Sequence, residues 1–224
     1  MTIAKLSEDR RQILSRRIRL IVSITIGYNL IEAVVAISAG TIAGSGALVA
    51  FGLDSTIEVL SAAAVAWQFT RRDPERWEKP TLRVIAVAFF ALAAYVVASS
   101  FVTLIARIDV EQSPIGIALT ALSVVVMPFL SLAERRAGRE LGSATAVADS
   151  KQTLICTYLS AAVLSGLVLN ASVGWWWADA IAGLVIAIFA VREGLEAWRG
   201  DACATSVGML LEQEDDDENA RRTR

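Results

Sequence analysis

The chain has no histidine and only two cysteines, and few ionisable residues fall inside its long apolar stretches. Without histidine, general acid–base catalysis has little to work with, and no nucleophile paired with a base is recognisable, which argues against an enzyme. Cys156 sits inside an apolar stretch and Cys203 lies beyond the last one. Two such residues are too few and too badly placed for a disulfide framework, so both are expected as free thiols. A net charge of −2 and a pI near 5.3 give no basic surface for nucleic acid, and no nucleic-acid motif is present.

What the chain has in abundance is apolar surface. Hydrophobic residues make up 55% of it and the mean hydropathy is +0.54, too apolar for a surface facing water. The charged residues, 20% of the total, gather in short clusters. Between them lie apolar stretches of roughly 20 residues or more, enough to cross a bilayer. The expected fold is therefore an all-α integral membrane bundle of six transmembrane helices, with the lipid bilayer as its solvent. The spans are placed at 19–40, 43–70, 81–106, 113–133, 143–170 and 175–197. Lys5, Arg10, Arg11, Arg16, Arg17 and Arg19 precede the first span in the manner of a signal peptide. That apolar stretch is too long and lacks a clean cleavage site, so it is read as a retained helix.

Basic residues fall on alternate connections: the N-terminal segment, the stretch from Arg71 through Arg83, the cluster Arg135, Arg136 and Arg139, and the region of Arg192 and Arg199. The other connections, around 38–46, 107–112 and 170–175, carry one arginine, Arg107, beside Asp109 and Glu111. The positive-inside rule then places both termini in the cytoplasm of a multi-pass protein of the plasma or inner membrane. Trp175, Trp176 and Trp177 fall at the outer start of the sixth span, and Trp67, Trp77 and Trp198 near cytoplasmic ends, as interfacial anchors do. Three regions result: a basic cytoplasmic segment over 1–16, a transport domain over 17–200, and a tail over 201–224. The tail runs acidic from Leu211 to Glu218 and then basic, with too few apolar residues to order it. It is read as solvated.

Ionisable groups in mid-membrane are costly, so each needs a partner or a task. In the second span, Asp54 and Glu58 stand four residues apart, stacked one turn apart on a single face near mid-span. Two like charges so close repel unless a cation lies between them, and mid-membrane is the depth at which transporters bind their substrates. In the fifth span Asp149, Gln152 and Cys156 share a face, with Lys151 on the other side. If the two spans are neighbours, Asp54, Glu58, Gln152 and Cys156 surround one ion with two carboxylates, an amide oxygen and a thiolate, a set that suits a tetrahedral divalent metal such as zinc. The competing reading makes Cys156 a small apolar filler and Gln152 a hydrogen-bonding link between helices. Asn29, Glu32 and Asp179 complete the intramembrane list. With Asp149 they are expected along the ion path, behind the ligands, or as braces between helices. Gly40, Gly44, Ser45 and Gly46 permit a tight connection and close approach of helices.

The stretch Gly44-Ser45-Gly46-Ala47-Leu48-Val49-Ala50, followed by Asp54-x-x-x-Glu58, resembles the second-helix signature of the cation diffusion facilitator (cation efflux) family. That signature is a Gly-Ser-x-Ala-Leu stretch, then a His or Asp, three residues and an Asp. The segment from Ser143 to Ser160 resembles the family's fifth-helix motif, with Gln152 and Cys156 standing at its His and Asp ligand positions. Asn29, Glu32 and Ala178-Asp179-Ala180 also resemble family positions, and the likeness covers about residues 17–200. Glu58 replaces the usual Asp, Phe51 stands where an Asp often precedes the ligands, and the absence of histidine removes the family's usual proton carrier. No stretch of this sequence reads as the cytoplasmic metal-binding domain typical of the family, so the chain is expected to resemble its short members.

The resemblance implies a homodimeric exporter that exchanges a divalent metal for protons. The expected function is secondary active efflux of a divalent transition metal. Zinc is the first choice, with manganese, iron, cobalt or cadmium as alternatives, carried as the substrate and with no prosthetic group. The rival reading is a membrane metal sensor, or an interaction subunit, that keeps the fold without transporting.

Overall fold

The computed structural model describes residues 8–69, 74–141 and 144–199. The tail, Cys203 and Arg71 to Asp73 lie outside the described residues, as do the side chains of Trp67, Trp77 and Asp149. Among the described residues six helices follow one another: α1 (Glu8–Ala43), α2 (Gly46–Phe69), α3 (Pro74–Ala106), α4 (Pro114–Leu141), α5 (Ala144–Val173) and α6 (Ala178–Arg199). Five are long and apolar enough to cross a bilayer. The sixth, α6, has 22 residues, about 33 Å of helix, and is diluted by Asp179, Arg192, Glu193, Glu196 and Arg199.

The exterior is apolar, as a multi-pass membrane bundle requires: Ile42 and Ile105 are 80% and 81% exposed, and Val84, Ile115, Phe129 and Ile188 also face outward. Small residues and hydroxyls populate the interior instead, among them Ala36, Ala50, Ala86, Thr120, Ser123 and Ser160. Such residues let helices approach closely where lipid offers no hydrophobic drive to associate. Gly52 is the clearest case, because a Cβ there would stand 2.7 Å from Ile37 Cγ1 and 3.0 Å from Ala33 O of α1. The central helix is α2, which packs against α1, α3, α5 and α6, while α4 packs on α1 and α5, and α3 on α6.

The turn from α1 to α2 is tight because Gly44 takes a left-handed backbone, φ 67°, which a side chain disfavours. Ser45 then caps α2, its Oγ accepting from Leu48 N at 3.0 Å, and Ser113 caps α4 in the same way through Gly116 N at 3.1 Å. The three connections with little basic charge meet at one end. Glu111 N donates to Ala43 O at 2.9 Å, Asn170 Nδ2 to Val110 O at 2.7 Å, and Gln112 Nε2 to Ala171 O at 3.3 Å. Trp175 and Trp177 stack there with ring centroids 4.9 Å apart.

At the opposite end the helices outrun the expected spans. The first was expected to begin at 19 and the fourth to end at 133, yet α1 starts at Glu8 and α4 reaches Leu141. The reason is a second apolar seam, in which Leu14, Ile18 and Val22 recur at four-residue intervals against Ala137, with Ile26 and Leu141 alongside. Arg10 Nε closes this end by donating to Glu140 Oε1 at 2.8 Å. Glu134, expected just beyond the fourth span, is instead a buried residue of α4.

Candidate metal centre

Asp54 lies eight residues into α2, about 12 Å from its Gly46 end, and Glu58 about 6 Å further on, near the middle of an apolar layer some 30 Å thick. The four-residue spacing stacks the two carboxylates on the face that α2 turns toward α1 and α5. The fifth helix brings Cys156 to the same place, and the ligand atoms of Asp54, Glu58 and Cys156 lie within 4.8 Å of one another. Asp54 and Cys156 are buried and Glu58 is half-buried. Both Glu58 oxygens are held: Asn29 Nδ2 of α1 donates to Oε2 at 2.5 Å, and the Cys156 thiol of α5 donates to Oε1 at 2.8 Å. Three helices therefore meet on one carboxylate.

The remaining expected residues are distributed around this group. Gln152 stands one turn before Cys156, and its side chain lies toward Glu193 of α6. Glu32 is 1% exposed and lies behind the group, where Ser55 Oγ donates to Oε2 at 2.9 Å and Ser123 Oγ to Oε1. Tyr28 and Ser123 hydroxyls lie 2.7 Å apart, so Glu32 anchors a hydroxyl network joining α1, α2 and α4. Asp179 is remote from the group. Its Oδ1 accepts from Ser45 Oγ at 2.5 Å and its Oδ2 from Ala47 N at 3.3 Å, which makes it a cap supplied by α6 to the first turn of α2. Asp149 belongs to α5, and its side chain lies outside the described residues.

Sequence reasoning missed Glu193. It stands beside Arg192 and near Glu196 and Arg199, and such a cluster at the end of a span reads as ordinary solvated charge. In the folded chain it is half-buried on the side of α6 that lies toward Asp54 and Gln152. The one available signal was its helical face: Glu193 is seven residues after Ile186, which is fully buried.

Two carboxylates and a thiol converge inside the apolar bundle of a polytopic membrane protein, a buried acidic and sulfur-bearing group that could hold a cation. The sequence model of the cation efflux transmembrane domain matches residues 20–200, and the chain belongs to the cation efflux family. It is similar to the cation-efflux pump FieF of Shewanella oneidensis, with 29% identity over 143 residues, 61% of this chain and 46% of FieF. The chain thus spans less than half the length of that curated relative.

Proposed function

We propose that this chain is a secondary transporter that binds a divalent transition metal at Asp54, Glu58 and Cys156 and carries it out of the cytoplasm in exchange for protons. The observation that carries the reading is the convergence of those three ligand atoms within 4.8 Å at mid-membrane depth. A divalent ion neutralises the two carboxylates, and protons replace it when it leaves, since two bare carboxylates at this spacing repel one another in a low dielectric. The thiol tilts the set toward zinc and cadmium, while the carboxylates also admit manganese, iron and cobalt. The similarity to FieF, a cation-efflux pump, supports efflux as the direction. Cytoplasmic termini are supported by Arg10, Arg16, Arg17, Arg135, Arg136 and Arg199 at the end opposite the three clipped connections. The family resemblance supports a homodimer, which chemical crosslinking in native membranes would detect as a doubled mass.

Flux into proteoliposomes from a panel of divalent metals, with and without an imposed pH gradient, tests the proposal. Zinc uptake that rises with an opposing proton gradient is expected. Metal binding without flux of any panel metal would instead assign the protein to sensing.

A further inference from the structure

We propose that Asn29 supplies the fourth ligand of the transported ion through Oδ1, so that the centre is a three-oxygen, one-sulfur site built from α1, α2 and α5. This inference rests on the reading of Asp54, Glu58 and Cys156 as the metal centre. Three protein ligands leave one position of a tetrahedral ion open. Gln152 is the neighbouring amide on α5, but its side chain lies toward Glu193 of α6, and among the described residues no hydrogen bond joins it to Glu58 or Cys156. Asn29 is differently placed. It is 5% exposed, its Nδ2 already lies 2.5 Å from Glu58 Oε2, and its Oδ1 is buried with no hydrogen-bond partner among the described residues. Buried side-chain oxygens almost always have a partner, so an orphan beside a group of ligands calls for one.

The chemistry fits an ion. An amide oxygen is a hard, neutral donor of the kind that carboxylate-rich cation sites use. An ionised Glu58 accepts hydrogen bonds only, which turns the nitrogen of the Asn29 amide toward it. Once a metal occupies the Glu58 oxygen, the broad, two-fold terminal torsion of asparagine lets the amide turn over and present Oδ1. The amide donor thus exchanges a hydrogen bond to the ligand for a bond to the ion, adding no charge to the site.

Cobalt(II) titration of the full chain in detergent provides the test. It is read by the thiolate-to-cobalt charge-transfer band and by the intensity of the d–d bands, which separates four-coordinate from higher-coordinate cobalt. Wild type is expected to give four-coordinate cobalt with a charge-transfer band that Cys156→Ser abolishes. Asn29→Ala is expected to weaken cobalt binding by about 100-fold, the upper end of what the loss of a supporting group costs a metal site. Asn29→Asp keeps the shape and the oxygen but has no N–H to donate, so it separates ligation from positioning and also serves where the alanine variant fails to fold. Affinity and d–d intensity as in wild type, or stronger, are expected for it. Equal losses in Asn29→Asp and Asn29→Ala would make Asn29 only a donor that orients Glu58, overturning the proposal. So would wild-type binding in both variants, or a loss confined to Gln152→Ala. A wild-type protein without the Cys156-dependent band would sink the metal centre itself, and this inference with it.

Discussion

Replacing Asp54 by asparagine changes charge and almost nothing else. The residue is 7% exposed, so a substitution of equal shape leaves the packing of α2 intact. What is lost is the attraction between one carboxylate and a divalent ion. At an effective dielectric near 20, two unit charges about 4 Å apart interact by about 4 kcal/mol, and a divalent ion doubles that. Part of the loss is offset, because the asparagine amide keeps a neutral oxygen donor for the ion, while the repulsion between Asp54 and Glu58, whose ligand oxygens lie within 4.8 Å of each other, acts with and without metal and bears only on the stability of the metal-free protein. With that offset taken as about half, a net loss of about 4 kcal/mol, or about 1000-fold in affinity, is expected. Isothermal titration of zinc into detergent-solubilised protein measures it, proteoliposome flux should fall to background, and thermal unfolding of the metal-free variant should match or exceed wild type. Asp54→Asn protein that transports at the wild-type rate would refute the assignment of the centre altogether. A variant that unfolds below the wild-type temperature would show instead that the carboxylate braces the bundle.

Cys156→Ser should reduce zinc and cadmium flux more than manganese flux, since it exchanges a soft ligand for a hard one; equal transport of all three would make Cys156 a packing residue. Asp179→Asn should lower stability by about 1–2 kcal/mol through the weakened cap on α2. Metal affinity should be unchanged, because Asp179 caps the first turn of that helix, about 12 Å of helix before Asp54, and lost affinity at unchanged stability would place it on the ion path. Gly52→Ala forces a Cβ to within 2.7 Å of Ile37 Cγ1 and should cost about 1–3 kcal/mol in thermal unfolding. Wild-type stability would rule out the close contact of α1 with α2. Cys203, which lies outside the described residues, should react with impermeant thiol reagents only from the cytoplasmic side, and labelling in intact cells would invert the topology.

The bundle was legible because apolar length and helical period are local properties. Six apolar stretches announced six helices, and the spacing of Asp54 and Glu58 announced a shared face before any neighbour was known. The meeting of Cys156 with that pair was legible for a related reason, since few polar side chains occur at that depth and they seek one another. Gln152 lies on the same face of α5 as Cys156, yet its side chain lies toward Glu193, because the rotation of α6 against α5 decides its neighbour and no local period encodes that rotation. Glu193 was hidden by its charged neighbours, and Glu134 by the assumption that a helix ends where its apolar stretch does. Asp179 reads as one more costly intramembrane charge until the start of α2 is laid against it, and only then does it become a cap.

That cap ties two helices far apart in sequence into one mechanical unit. A buried carboxylate bonded to the Ser45 hydroxyl and to the Ala47 amide is lost at about 1.5–3 kcal/mol for each charged hydrogen bond. A change of access that carries α2 and α6 together leaves the tie whole, whereas one that parts them at this end must first break it. The first turns of α2 and α6 are therefore expected to move as one in any rearrangement of the bundle that keeps these two bonds.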